Sequence, residues 1–214
     1  MSEHVMDRRG FLGLAGAGIA SFALSACGGN GGSTGETAGD KSAKNESANT
    51  DAESPITGQS LIVLWSWSGN TLQMAERISE LSDADIYRIE AADPYPEDYE
   101  ETAYRAKQEQ DDGTYPEISN PVQNWDDYDT IFLGYPIWWY ELPMIVQGFV
   151  NDHDWAGKTI VPFNSHLGSG NSGTYDDLRE MTGATVLDGI AISGNDIPAK
   201  LDEIDTWYAA LPKA

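Results

Sequence analysis

Cysteine occurs once in these 214 residues, at Cys27, so no intrachain disulfide staples the fold and no cysteine-ligated zinc or iron–sulfur cluster can be built. Histidine is nearly as scarce: His4, His153 and His166 are too few for a histidine-rich metal centre. Positive charge is the third shortage. Twelve Lys+Arg stand against 35 Asp+Glu, giving a formal charge of −23 and a sequence pI near 4.1. Such a chain repels phosphate backbones and anionic headgroups, which excludes nucleic acid as a partner. Three motifs are missing as well. Without G-x-x-x-x-G-K-[ST] there is no lysine for a triphosphate, without G-x-G-x-x-G no cradle for a dinucleotide pyrophosphate, and without G-x-S-x-G no nucleophile elbow for a hydrolase triad. What remains is 40% hydrophobic, enough for a sizeable core in one domain or at most two small ones.

The first 26 residues read as an address. Arg8-Arg9 precedes Gly10-Phe11-Leu12 and a Gly/Ala-rich apolar run to Ala26, about 16 residues and so short of the roughly 20 a membrane-spanning helix needs. Arg8-Arg9-Gly10-Phe11-Leu12 resembles a twin-arginine export signal, and Leu24-Ser25-Ala26-Cys27 resembles the lipobox of bacterial lipoproteins. The resemblance implies cleavage before Cys27, lipidation of that cysteine, and an extracytoplasmic protein anchored to the cell membrane. Twin-arginine export further implies transport in the folded state, as expected when a cofactor is inserted before export. Residues 27–57 hold Gly, Ser, Thr, Asn, Ala and acids with no aromatic side chain, a tether with a reach of roughly 30 Å.

Charge then locates the folded part. Residues 1–26 balance two arginines against two acids, and residues 28–56 set two lysines against five acids, which leaves −20 on residues 57–214. Within the domain, expected over 58–214, strands alternate with helices. Leu61–Trp65 is a continuous apolar run, as a strand covered on both faces requires, and Leu72, Ala75, Ile78 and Leu81 recur at helical spacing. Further strands are predicted at 86–89, 130–134, 159–163 and 185–192, and further helices at 97–110, 142–150, 175–181 and 198–211. The alternation predicts an α/β fold, a doubly wound five-stranded parallel sheet with helices on both faces. Pro162 lacks an amide proton, so it is expected near the carboxyl end of its strand, where pairing relaxes.

In open α/β sheets ligands bind beyond the carboxyl ends of the strands, so three loops decide function. After the first strand, Ser66-Trp67-Ser68-Gly69-Asn70-Thr71 leads into a helix, where hydroxyls and main-chain N–H groups suit a single terminal phosphate. The same residue types also make ordinary helix N-caps, and the hexapeptide alone leaves both readings open. After the third strand comes Tyr135-Pro136-Ile137-Trp138-Trp139-Tyr140. Consecutive aromatics cannot all face one core, so at least one ring is expected to be exposed, to stack on a flat ligand or pack at an interface. After the fourth strand, Ser165-His166-Leu167-Gly168-Ser169-Gly170 offers donors for a heterocycle and glycines that let backbone come close.

Across about residues 58–212 these loops resemble the flavodoxin-like family, in a bacterial branch that carries a Tyr-Pro-Ile-Trp-Trp segment and, at Tyr95-Pro96-Glu97-Asp98-Tyr99, a long second connection. The resemblance brings with it the strand order 2-1-3-4-5, a family property and not a reading of this sequence. It implies FMN as cofactor: Ser66, Trp67, Ser68, Gly69, Asn70 and Thr71 at the phosphate, Pro136, Ile137, Trp138 and Trp139 flanking the ring, and Ser165, His166, Gly168 and Ser169 on its far side. An acidic surface would lower the flavin potential and steer basic redox partners. The favoured expectation is an electron carrier serving redox partner proteins or a small-molecule acceptor. One alternative is an FMN-dependent oxidoreductase reducing a quinone or similar acceptor, with or without a nicotinamide donor; the lack of a basic cluster argues against the NAD(P)H part alone. Another is a binding module without redox chemistry.

Overall fold

The computed structural model describes residues 56–213. The readings over 1–26, the lipidation site Cys27 and the tether up to residue 55 lie outside the described residues. Ile56 and Thr57, at the end of that tether segment, already join the domain: Ile56 bridges to Lys213, and the Thr57 carbonyl accepts from Thr130 Oγ1 at 3.2 Å.

The apolar run after residue 59 becomes β1 (Ser60–Leu64), and its alternation sorts side chains to two layers. Leu61 and Val63 enter a core with Ile131, Leu133, Ile145 and Phe149, whereas Ile62 and Leu64 enter one with Met74, Ile78, Phe132 and Ile204. Burial on both faces is what a parallel strand between helix layers needs, and each such side chain contributes about 1.5–3 kcal/mol of transfer free energy. The helix α1 (Asn70–Ser82) follows, then β2 (Asp85–Arg88) and α2 (Tyr99–Asp112), which Asp98 caps by accepting from Glu100 N and Glu101 N. Next come β3 (Thr130–Pro136), α3 (Met144–Asp152), β4 (Thr159–His166), α4 (Thr174–Thr182), β5 (Thr185–Val186), β6 (Ile190–Ser193) and α5 (Leu201–Ala210). The sheet runs β2-β1-β3-β4-β5, with β6 also paired to β4, and these strands pair in parallel. Helices α1 and α5 pack on one face, α3 and α4 on the other.

Two expectations need correction, and they share a cause. Pro162 is not at a strand end but the fourth residue of the eight in β4, opposite Leu133 of β3. The single strand expected over 185–192 is two strands, interrupted at 187–189. The Ile160 carbonyl accepts from Leu187 N at 2.9 Å, so Ile160, and by the two-residue alternation Pro162, present their main chain to the β5/β6 side. The proline therefore lacks its N–H where the neighbouring strand has broken, and its missing donor costs no ladder bond. Gly189 fills the break because nothing larger fits: a Cβ there would lie 2.3 Å from Pro162 O and 2.7 Å from Tyr175 Cζ.

Candidate functional site

Beyond Leu64 the chain leaves the sheet and turns into α1. The residue before that helix is Gly69, at φ 85°, which has no side chain to cap the first turn. Thr71 Oγ1 is bonded to Ser165 Oγ at 2.9 Å in the interior, and Ser66 Oγ reaches only as far as Leu72 N, at 3.4 Å. The first main-chain helix bond is Gln73 N to Gly69 O, which leaves the N–H groups of Asn70 and Thr71 without a helical acceptor. The loop therefore leaves its first two helical N–H groups free at a positive helix end, while Ser66 caps the third. Trp67 is directed away from it, its indole N–H donating to Pro96 O at 2.8 Å with its ring 6.1 Å from that of Tyr99.

The aromatic segment after β3 closes in a two-residue turn. Trp138 N donates to Glu141 O at 3.1 Å and Glu141 N to Trp138 O at 3.0 Å, and the residues between, Trp139 and Tyr140, have φ of 48° and 68°. Two left-handed residues in succession make a type I′ turn, normally built from Asn and Gly. Neither residue here is a glycine, so the conformation costs on the order of 1 kcal/mol at each position. The turn holds the two tryptophans apart. Trp138 packs edge-on to Trp65, centroids 4.4 Å apart, and against Tyr95 at 5.4 Å. Trp139 is 47% exposed, anchored by its indole N–H to Ala103 O at 2.9 Å, and Tyr140 is exposed as well.

The third loop is fixed from beneath. Asn164, fully buried on β4, accepts from Tyr175 Oη at 2.7 Å and donates to Gly170 O at 3.2 Å, while Tyr135 Oη and Thr174 Oγ1 pair at 2.9 Å. Above this network Gly168 N donates to His166 Nδ1 at 2.9 Å, so the imidazole proton sits on Nε2. Partial burial holds the His166 pKa below its usual value, against a smaller opposing pull from Asp196.

These segments surround a cavity of about 630 Å³ at the carboxyl edge of the sheet. Of the residues expected at the site, it brings together Trp67, Ser68, Asn70, Pro136, Ile137, Trp138, Trp139, Ser165, His166, Gly168 and Ser169. Ser66, Gly69 and Thr71 do not line it; Ser66 and Thr71 are buried behind the loop and support it. Sequence reasoning missed Tyr99, Thr102 and Ala103 from the start of α2, and Tyr140, Leu167 and Gly194. The Tyr95–Tyr99 segment was the one available signal for the first group. Gly194 reaches the site only through the pairing of β6 with β4, which sets its Cα beside the Asn70 amide. Among the described residues no group of His, Cys, Asp and Glu could hold a metal ion.

The architecture is that of an open, doubly wound α/β protein whose cleft lies at the carboxyl ends of β1, β3 and β4. The family model described as flavodoxin matches residues 59–210, and the chain belongs to that family. No curated protein matches the sequence. Among solved structures, a protein of Bacteroides uniformis described as a flavoprotein is 28% identical with a TM-score of 0.64, the match covering 72% of this chain and 99% of that one. One from Bacteroides eggerthii with the same description is 29% identical, TM-score 0.58, over 70% of this chain and 99% of that one. A flavoprotein of Lactobacillus acidophilus, solved in complex with FMN, shares the fold at 21% identity and a TM-score of 0.55, over 70% of this chain and 99% of that one.

Proposed function

We propose that the chain is an FMN-binding electron carrier, anchored through a lipid on Cys27 and working at the extracytoplasmic face of the cell membrane. The observation that carries the reading is the start of α1, where the N–H groups of Asn70 and Thr71 have no helical acceptor. Ser68 and Asn70 of this turn line the same cavity as the aromatic turn after β3. Neutral donors at a helix N-terminus fit one phosphate monoester, and Pro136, Ile137, Trp138 and Trp139 offer apolar surface for a flat ring. His166, with Nε2 protonated and Nδ1 satisfied, presents a donor to a heterocycle carbonyl. When bound, FMN supplies reversible one- and two-electron transfer; the protein supplies binding, orientation and field.

The reading is tested on the full chain extracted from its native membrane. The expected result is a yellow protein, apoprotein that retakes FMN with a Kd below about 1 μM, and negligible reduction by NAD(P)H in stopped flow. Cys27→Ser should shift the protein from the membrane to the soluble fraction. A colourless protein that takes up no FMN overturns the cofactor, and fast reduction by NAD(P)H replaces the carrier with a reductase.

A further inference from the structure

The described domain has four arginines, and three are neutralised locally: Arg77 by Asp205 and Glu80, Arg105 by Asp93 and Glu109, Arg179 by Asp176. Arg88 makes no ion pair among the described residues. Instead its Nη2 donates to the carbonyl of Ser66, the first residue of the loop that opens at α1, at 2.8 Å. A guanidinium has five N–H donors, so this bond leaves most of its capacity free. Register places it further. Arg88 pairs with Leu64, a residue of the core under α1, so both side chains stand on the face of the sheet that α1 covers, beyond its carboxyl edge. Arg88 and Ser68 line one open cavity, and Ser68 also lines the 630 Å³ cleft, so the guanidinium and the loop before α1 share a rim. Glu90 and Glu97 border the same opening, and Arg88 is its one positive charge.

We infer that Arg88 is the specificity determinant that makes this site prefer a phosphorylated flavin to riboflavin: it fixes the first carbonyl of the loop and offsets a phosphate dianion in a domain of charge −20. The inference rests on the FMN reading and deepens it. A phosphate approaching so acidic a domain meets repulsion at long range, and neutral N–H groups orient it without supplying a counter-charge. Arg88 is the one arginine placed to supply it.

The test is the affinity of full-length apoprotein for FMN and for riboflavin, for the wild type, Arg88→Gln and Arg88→Lys, at low and high salt. Expected is a loss of about tenfold in FMN affinity for Arg88→Gln with riboflavin affinity unchanged, a flatter salt dependence, and partial rescue by Arg88→Lys. Equal losses for both flavins would reduce Arg88 to a support of the loop, and unchanged affinity for both would remove it from the site; either result overturns the inference while leaving FMN binding intact. A wild type that binds neither flavin overturns the functional reading, and this inference with it.

Discussion

At the scale of single residues, His166 shows how local bonding sets chemistry. Its Nδ1 accepts from Gly168 N, a bond that exists only while that nitrogen is unprotonated, and burial disfavours the charged ring. The folded state thus binds the proton less tightly than the unfolded chain, whose imidazole titrates near 6.5. Stability from this group is complete above that value and declines as pH falls through it towards the lower folded pKa. NMR titration should show a His166 pKa below 6.5, with the Gly168 amide resonance moving in the same transition. A midpoint at or above the ordinary imidazole value would mean that the ring is free and the loop is held by Asn164 alone.

At the scale of elements, the pairing of β4 with a broken neighbour invites a direct test. Gly189→Ala puts a methyl group 2.3 Å from Pro162 O and 2.8 Å from its Cγ, both on a buried central strand that cannot yield. The variant should lose about 1–3 kcal/mol in chemical denaturation, the usual cost of overpacking, whereas the same substitution at Gly157, where a Cβ meets nothing within 4 Å, should lose only the roughly 1 kcal/mol that a left-handed backbone costs at its φ of 78°. The contrast also shows what the sequence could tell. The apolar run of β1 was legible because burial on both faces leaves a local signature, and α2, expected over 97–110, was legible to within two residues of Tyr99–Asp112. The break between β5 and β6 was not, since it depends on a proline in another strand. The turn at Trp139 and Tyr140 was equally hidden, because left-handed turns announce themselves through Gly and Asn and this one uses two aromatics. Tyr99, Thr102 and Ala103 join the cleft through the docking of α2, about which local sequence says nothing.

At the scale of the whole molecule, the excess of acid acts as a field. Most described basic side chains are spent internally: Arg77, Arg105, Lys107, Arg179 and Lys200 in ion pairs, Lys158 on the carbonyls of Trp125 and Tyr128, and Lys213 over the Tyr208 ring. The unpaired carboxylates leave the domain its −20, although none of them lines the cleft itself. On the FMN reading, reduction adds negative charge inside that field, so the field holds the midpoint potential down. Surface charges act through water and are screened over a Debye length of about 10 Å at 0.1 M salt. The midpoint potential should therefore rise as ionic strength is increased from about 10 mM to 1 M, which a spectroelectrochemical titration at each salt concentration would read. The association rate with a basic redox partner should fall over the same range, because the same field accelerates the encounter. If the potential does not move with salt, the groups around the ring set it, and the −20 of the domain serves partner choice alone.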